Sequence, residues 1–318
     1  MKIVALDGHT LNPGDNPWDP VSGLGDFSVY DKTPAELILE RAEGAQVILT
    51  NKVPLTSETF DQLPDLGFVS VTATGFNVVD VEAARARDIP VSNIPVYGTD
   101  SVAQYAMALL LELCHHVGRH DGAVHQGGWM GSGYWSFWET PLMELAGKTI
   151  GLVGFGRIGQ RVGELAHAFG MEVWAYAPSP KDAPGYEPFA LKSVEDIFAG
   201  ADVVSLHCPQ TPENTGFVNA ELLATMQEGS LFINTARGAL VDEQALLEAL
   251  RAGKPRAAAT DVASTEPIEN GNPLLQAPNL LITPHLAWAT VEARKRLMQM
   301  TADNVQAFQD GAPINVVN

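Results

Sequence analysis

Short apolar runs alternate with stretches of helical spacing along most of this chain, in two series. In the first series, runs at residues 2–6, 46–50, 68–73 and 90–92 have the length of strands. Thr33-Pro34-Ala35-Glu36 predicts a helix start, with Thr33 as N-cap, proline at the first helical position and Glu36 closing a capping box. Residues 56–61 and 79–87 predict two further helices, and the Pro-, Gly- and Asp-rich stretch 12–25 predicts loop. The second series has apolar runs at 149–153, 172–176, 203–207, 230–234, 257–261 and 280–283. Helical stretches at 158–169, 193–198, 219–226 and 242–252 separate most of them. Strands alternating with helices imply parallel sheets covered on both faces. Six strands with helical crossovers predict a doubly wound Rossmann sheet. The first series predicts a smaller, flavodoxin-like α/β unit.

Residues 101–117 join the two series as a helix that is apolar nearly all round. Such a helix must be buried on several faces, by domain packing or by a second subunit, and Gly118 is expected to end it. A glycine-rich loop follows at 127–138, and its Trp135, Phe137 and Trp138 read as loop or interface packing rather than as a pocket wall. A last helix is predicted at 290–309. A length of 318 residues suits two domains. The expected division is a substrate domain of residues 1–99 and 287–318 and a dinucleotide domain of residues 100–286, with the active site in the cleft and hinge closure excluding water.

A net charge of −19 argues against nucleic acid and against an acidic membrane surface. Any site for an acid must therefore supply its own local cation. Cys114 and Cys208 are too few and too far apart for a disulfide framework. The N-terminal apolar run stops at Asp7-Gly8-His9, so it reads as a strand and not as a signal peptide. No apolar run reaches the roughly 18 residues of a membrane span, and the cytoplasm is the expected location. His116 and His120 lie four apart, but no third ligand is evident and no metal is expected.

The chemistry begins at Gly154-Phe155-Gly156-Arg157-Ile158-Gly159, a G-x-G-x-x-G turn between a predicted strand and a predicted helix. Gly154 makes the turn, Gly156 lets the backbone approach a pyrophosphate, and Gly159 lets the helix pack on the strand. The free N–H groups at the helix start face the phosphates. Ligands of open α/β sheets bind beyond the carboxyl ends of the strands. Three predicted strands end there in Arg237, in Asp261 and Glu266, and in His285. A cation, a carboxylate and an imidazole beside a dinucleotide site are the equipment for interconverting a 2-oxo acid and a 2-hydroxy acid.

Several segments together resemble the D-isomer-specific 2-hydroxyacid dehydrogenases over nearly the full length. They are Ala73 to Asp80, Ser101-Val102-Ala103-Gln104, Gly154 to Gly159, His207-Cys208-Pro209, Asn234 to Gly238, Asp261 to Pro267, and Thr283 to His285. Within that family, Thr74 to Asp80, Asn93 to Gln104 and Ser136-Phe137-Trp138 resemble most the glycerate dehydrogenases, also called hydroxypyruvate reductases. The resemblance implies that Arg237 holds the substrate carboxylate and carbonyl oxygen, that His285 exchanges the proton, and that Glu266 bonds the other imidazole nitrogen, orients the ring and favours its charged form. It implies that Lys52, Thr74, Gly75 and Phe76 bind substrate. It implies that the coenzyme is held by Gly154, Gly156, Arg157, Ile158, Gly159, Ser179, Lys181, Cys208, Pro209, Thr215, Thr235, Ala236, Asp261 and His285, with Asp261 on the nicotinamide carboxamide.

One departure bears on the coenzyme. The carboxylate expected about 20 residues after the glycines, which binds the ribose hydroxyls, is replaced by Ala177, with Ser179 and Lys181 nearby and no arginine. The coenzyme is thus NAD or NADP, with a lean to NADP. The expected reaction is reduction of hydroxypyruvate or glyoxylate, by a homodimer. Phosphoglycerate or D-lactate dehydrogenase activity, or a non-catalytic dinucleotide sensor on the same fold, are the alternatives. The chain's end at Asn318, without an added regulatory domain, disfavours the first, and the intact Arg237, Glu266 and His285 set counts against the last.

Overall fold

The computed structural model describes residues 1–179 and 182–318. The chain divides into two compact units, Met1–Gly98 with Trp288–Asn318, and Thr99–Ala287.

Among the described residues, the first unit is built on β1 (Lys2–Ala5), β2 (Asp26–Val29), β3 (Val47–Thr50), β4 (Phe68–Val71) and β5 (Val91–Ser92). They form one parallel sheet in the order β2-β1-β3-β4-β5, the flavodoxin-like order. β3 and β4 are buried along their whole length because helices cover both faces. Alternate residues face opposite ways. Ile3, Ala5, Val47, Leu49 and Phe68 pack with Leu297, Met298, Ala302 and Val305 of the long helix Val291–Gln309. Val4, Ile48, Val69 and Val71 pack with Ile38, Phe60 and Ala84 on the other side.

Three local expectations in this unit are corrected. The stretch read as loop at 12–25 contains a short helix, Asp19–Ser22, and is followed by the unforeseen β2. β2 is an edge strand whose sequence, Asp-Phe-Ser-Val, offers little apolar signal. Thr33 caps no helix: the chain enters through the 3-10 turn Ala35–Leu37 after an extended Pro34. The Thr33 hydroxyl instead accepts from the Arg41 guanidinium at 2.8 Å.

The second unit contains β6 (Thr149–Val153), β7 (Glu172–Tyr176), β8 (Phe189–Leu191), β9 (Val203–Leu206), β10 (Leu231–Asn234), β11 (Ala257–Thr260) and β12 (Leu280–Ile282). Their order is β12-β11-β10-β9-β6-β7-β8, all parallel. This is the doubly wound Rossmann arrangement, its order reversing beside β6. β8 was not anticipated; it is short, lies at the edge and buries no residue fully. The helix Thr99–His115 buries Ala103, Ala106, Met107, Leu110, Leu113 and Cys114 within this unit and leaves Gln104, Ala108 and His115 exposed as a stripe. It ends two residues before Gly118, at a left-handed His116 (φ 48°), and Gly118 lies inside the next helix, Val117–His125. The glycine-rich stretch beyond contains the short helix Gly128–Ser132.

Candidate active site

The glycine turn follows β6. Gly154 has φ +106°, and a Cβ there would lie 2.5 Å from the Cys208 nitrogen at the end of β9. Only glycine meets both conditions. A Cβ on Gly159 would run into the Gly154 carbonyl oxygen, so the helix Arg157–Ala168 packs directly on the turn. Gly156 faces open space, with nothing within 4 Å of a Cβ built on it. It is also the N-cap of that helix, and no side chain caps the N–H groups that follow. Uncapped helix donors beside open space are what an anionic ligand requires. Phe155 anchors the turn, its ring 5.2 Å from that of Phe189 in β8.

After the glycine turn and its helix, β7 ends at Tyr176 and the chain continues through half-buried Ala177 to exposed Ser179. Lys181 lies outside the described residues. Beyond β9, Cys208 is half-buried and Pro209 exposed, and burial pushes the Cys208 thiol up. Thr215 uses its hydroxyl inside its own turn, accepting from Gln210 at 2.8 Å and donating to the Thr211 carbonyl at 3.0 Å.

His207, half-buried, follows β9 beside the glycine turn. Its Nε2 lies 2.9 Å from the Ser205 hydroxyl, and burial lowers its pKa from 6.5 to about 4. The imidazole is therefore neutral in the folded protein at pH 7. Between pH 6.5 and about 4 the unfolded chain takes up a proton that the folded chain refuses, so stability falls as pH drops through that window. The expected loss from this group is roughly 2–3 kcal/mol between pH 7 and 4.5. Urea unfolding of wild type and His207→Gln at both pH values checks it: the variant's pH dependence should be shallower by that amount.

The three chemical loops leave adjacent strands β10, β11 and β12. After β10, buried Asn234 staples the turn: its Oδ1 accepts from the Ala236 N–H at 3.0 Å and its Nδ2 donates to the Arg237 carbonyl at 2.9 Å. Arg237 is exposed and donates to the Ala236 carbonyl at 2.7 Å. Among the described residues no carboxylate is ion-paired with it. The Thr235 hydroxyl is buried without a hydrogen-bond partner. A Cβ on Gly238 would overlap the Ala263 backbone, so this loop touches the start of the next.

After β11, Asp261 is buried and its carboxylate pins the loop after β12. Oδ1 accepts from the Thr283 hydroxyl at 2.6 Å and from the Leu286 N–H at 3.0 Å; Oδ2 accepts from the Ala287 N–H at 2.8 Å. The Asp261 carbonyl accepts from the His285 N–H at 2.8 Å, and the Ser101 hydroxyl donates to the Ala287 carbonyl at 2.8 Å. His285 is thereby held at φ +53°, a conformation that a non-glycine residue keeps only when its surroundings impose it. Its Nδ1 lies 2.6 Å from Glu266 Oε2, while Glu266 Oε1 accepts from the Ala263 N–H at 3.2 Å. A carboxylate only accepts, so Nδ1 carries the hydrogen of this bond.

In the first unit, Lys52 follows β3 in a turn organised by Asp7. The Asp7 carboxylate accepts from the N–H groups of Asn51 (2.8 Å), Lys52 (2.5 Å) and Val53 (3.2 Å), and burial nonetheless raises its pKa. Thr74, beyond β4, donates its hydroxyl to the Ile94 carbonyl at 2.8 Å. The Phe76 ring packs on this unit's apolar cluster, and the Phe76 carbonyl accepts from Val79. His120 points one ring nitrogen at the His115 and His116 carbonyls, and the other accepts from the Glu139 N–H. Among the described residues no three His, Cys, Asp or Glu side chains form a metal-binding group, and no helix is long and apolar enough to cross a membrane.

The model of the D-isomer specific 2-hydroxyacid dehydrogenase NAD-binding domain matches residues 107–287. The chain is 49% identical to a hydroxypyruvate reductase of Blautia hydrogenotrophica, over 100% of both chains. The chain belongs to the D-isomer-specific 2-hydroxyacid dehydrogenases. A glycerate dehydrogenase of Methylorubrum extorquens is 40% identical over 99% of this chain and 98% of that one. Among solved structures, an NADPH-dependent glyoxylate/hydroxypyruvate reductase from Sinorhizobium meliloti, in complex with NADP and malonate, superposes with a TM-score of 0.85 at 28% identity, covering 99% and 96% of the two chains. This dehydrogenase therefore carries a nicotinamide-dinucleotide-binding domain. Asn234 and Thr283, which the sequence reading quoted within matching segments but gave no role, fix the Arg237 and His285 loops, and the carboxylate of Glu243 lay outside that reading. A polar residue closing a buried strand, such as Asn234 after Leu-Phe-Ile, was the available signal for the first.

Proposed function

We propose that this dehydrogenase reduces hydroxypyruvate, and glyoxylate after it, to the D-2-hydroxy acid. The observation that carries the reading is the Glu266–His285 hydrogen bond between the loops after β11 and β12, with β11 lying next to the β10 of Arg237. The fit to a dinucleotide rests on the open space at Gly156, the uncapped helix start at Arg157, Ile158 and Gly159, and the orphaned Thr235 hydroxyl. Bound nicotinamide supplies or accepts the hydride.

Each side chain then has one task. The planar fork of Arg237, ion-paired with no carboxylate among the described residues, binds the substrate carboxylate and carbonyl oxygen. His285 Nε2 donates the proton to that oxygen during reduction and accepts it during oxidation. Glu266 fixes the ring through Nδ1. Asp261 Oδ2, with one lone pair beyond its bond to Ala287, accepts from the carboxamide. Lys52, Thr74, Gly75 and Phe76 are assigned to substrate, and Ser179, Cys208, Pro209, Thr215 and Ala236 to the coenzyme.

NADPH is the preferred coenzyme in this reading, because Ala177 presents no carboxylate to repel a 2′-phosphate. The names of the hydroxypyruvate- and glyoxylate-reducing relatives support the substrate. We assign the enzyme to the cytoplasm as a homodimer whose contact includes Met130, Trp135 and Trp138, exposed at 88%, 88% and 65%. A panel of 2-oxo acids, each with NADH and NADPH, tests the proposal on the species that sedimentation identifies. A dimer with the highest kcat/KM for hydroxypyruvate plus NADPH is expected. Preference for pyruvate or 3-phosphohydroxypyruvate would overturn the substrate assignment.

A further inference from the structure

The geometry points to Glu243 as a positioning residue for the proton-transfer pair, acting on Glu266 through the loop that carries it. The inference rests on the reading of Glu266 and His285 given above. Glu243 opens the helix Glu243–Arg251, but it does not cap it: Asp242 already accepts from the Ala245 N–H at 3.0 Å. Its carboxylate turns instead to the loop after β11. Oε1 accepts from the Ser264 N–H at 2.7 Å, and Oε2 accepts from the Ser264 hydroxyl and the Asn272 amide, each at 2.8 Å. Both ends of the segment 264–272 are therefore tied to one carboxylate, and Glu266 lies two residues inside it.

The tie is well braced. The other side-chain atom of Asn272 accepts from the Leu274 N–H at 2.9 Å, and the Asn272 N–H donates to the Glu269 carbonyl at 3.1 Å. Residue 238, where the loops touch without room for a Cβ, begins the 3-10 turn Gly238–Leu240 that leads from Arg237 towards Glu243. Glu266 must keep Oε2 at 2.6 Å from His285 Nδ1, and among the described residues Glu243 is the side-chain acceptor that binds both Ser264 and Asn272 at the ends of its loop. Small misplacements of catalytic groups are costly in rate.

The test is a double-mutant cycle with Glu243→Gln and Glu266→Gln, following reduction of hydroxypyruvate and, separately, the dissociation constant of NADPH by fluorescence. A glutamine at 243 can accept from the Ser264 N–H but cannot serve all three donors. Glu243→Gln should lower kcat and kcat/KM in parallel by about tenfold to a hundredfold, with NADPH affinity retained. In the Glu266→Gln background the same substitution should cost less than about twofold, because the group it positions is gone. A full effect in that background, or wild-type kcat in Glu243→Gln, would overturn the inference while leaving the roles of Glu266 and His285 standing. Wild-type kcat in Glu266→Gln would overturn those roles and this inference with them. Should Glu243→Gln fail to fold, Ser264→Ala removes one donor only. It should then show a smaller loss of kcat that vanishes in the Glu266→Gln background, and an unchanged kcat would count against the proposal.

Discussion

Replacing His285 by alanine is expected to lower kcat by about 10²- to 10⁴-fold while leaving coenzyme affinity nearly intact. The magnitude follows from how completely the ring is committed. Glu266 occupies Nδ1 at 2.6 Å, so the proton exchange proposed for this ring is assigned to Nε2. Bonds from Asp261, Thr283 and Ser101 hold the loop so that a non-glycine residue sits at φ +53°. A structure that sustains such a conformation is over-determined around it. Oxidation of reduced coenzyme, followed at 340 nm, reads the first quantity, and quenching of protein fluorescence reads the second. Turnover near the wild-type rate would remove His285 from the chemistry.

The second large effect separates two glycines of the same turn. At Gly154 an alanine Cβ would meet backbone atoms of both His207 and Cys208, at a φ that L-residues avoid. Gly154→Ala should therefore cost about 3 kcal/mol of stability or more and abolish coenzyme binding at concentrations that saturate the wild type. At Gly156 the φ of −79° suits alanine and the space is open. Gly156→Ala should leave stability within about 0.5 kcal/mol of wild type yet weaken coenzyme binding at least about tenfold, because its methyl group fills the approach to the helix donors. Denaturant unfolding and fluorescence titration of both variants give the comparison. Unchanged affinity in Gly156→Ala would mean that the open space is not where the pyrophosphate lies.

The fold was legible where burial is two-sided. β6 begins and ends where its apolar run does, and the ends of β9, β10 and β11 lie within a residue of expectation, since buried parallel strands are continuous apolar runs broken by turn residues. The misses are edges and caps. β2 and β8 bury little, so their sequences carry little signal. The Thr33 motif had the composition of a capping box, but the extended Pro34 led into a 3-10 turn and the Thr33 hydroxyl paired with Arg41. Gly118 looked like a helix end, whereas His116 took the left-handed position two residues earlier.

In the site, the residue types and their strand ends could be read from the chain, because a cation, a carboxylate and an imidazole each follow an apolar run. What holds them could not. Glu243 meets Ser264 and Asn272 only through tertiary folding, and in the sequence it is one more acidic residue at a helix start. Asp261 illustrates the same limit: a family likeness suggests a ligand contact, while the structure shows its oxygens anchoring Thr283, Leu286 and Ala287. Gly238 is explained only by the Ala263 backbone lying against it.

The most direct measurement is the product made by the purified wild-type protein from hydroxypyruvate and NADPH, resolved on a chiral column against the coenzyme consumed. One D-glycerate for each NADPH oxidised is the predicted result. No substrate-dependent oxidation with either coenzyme, or formation of the L-isomer, would contradict it.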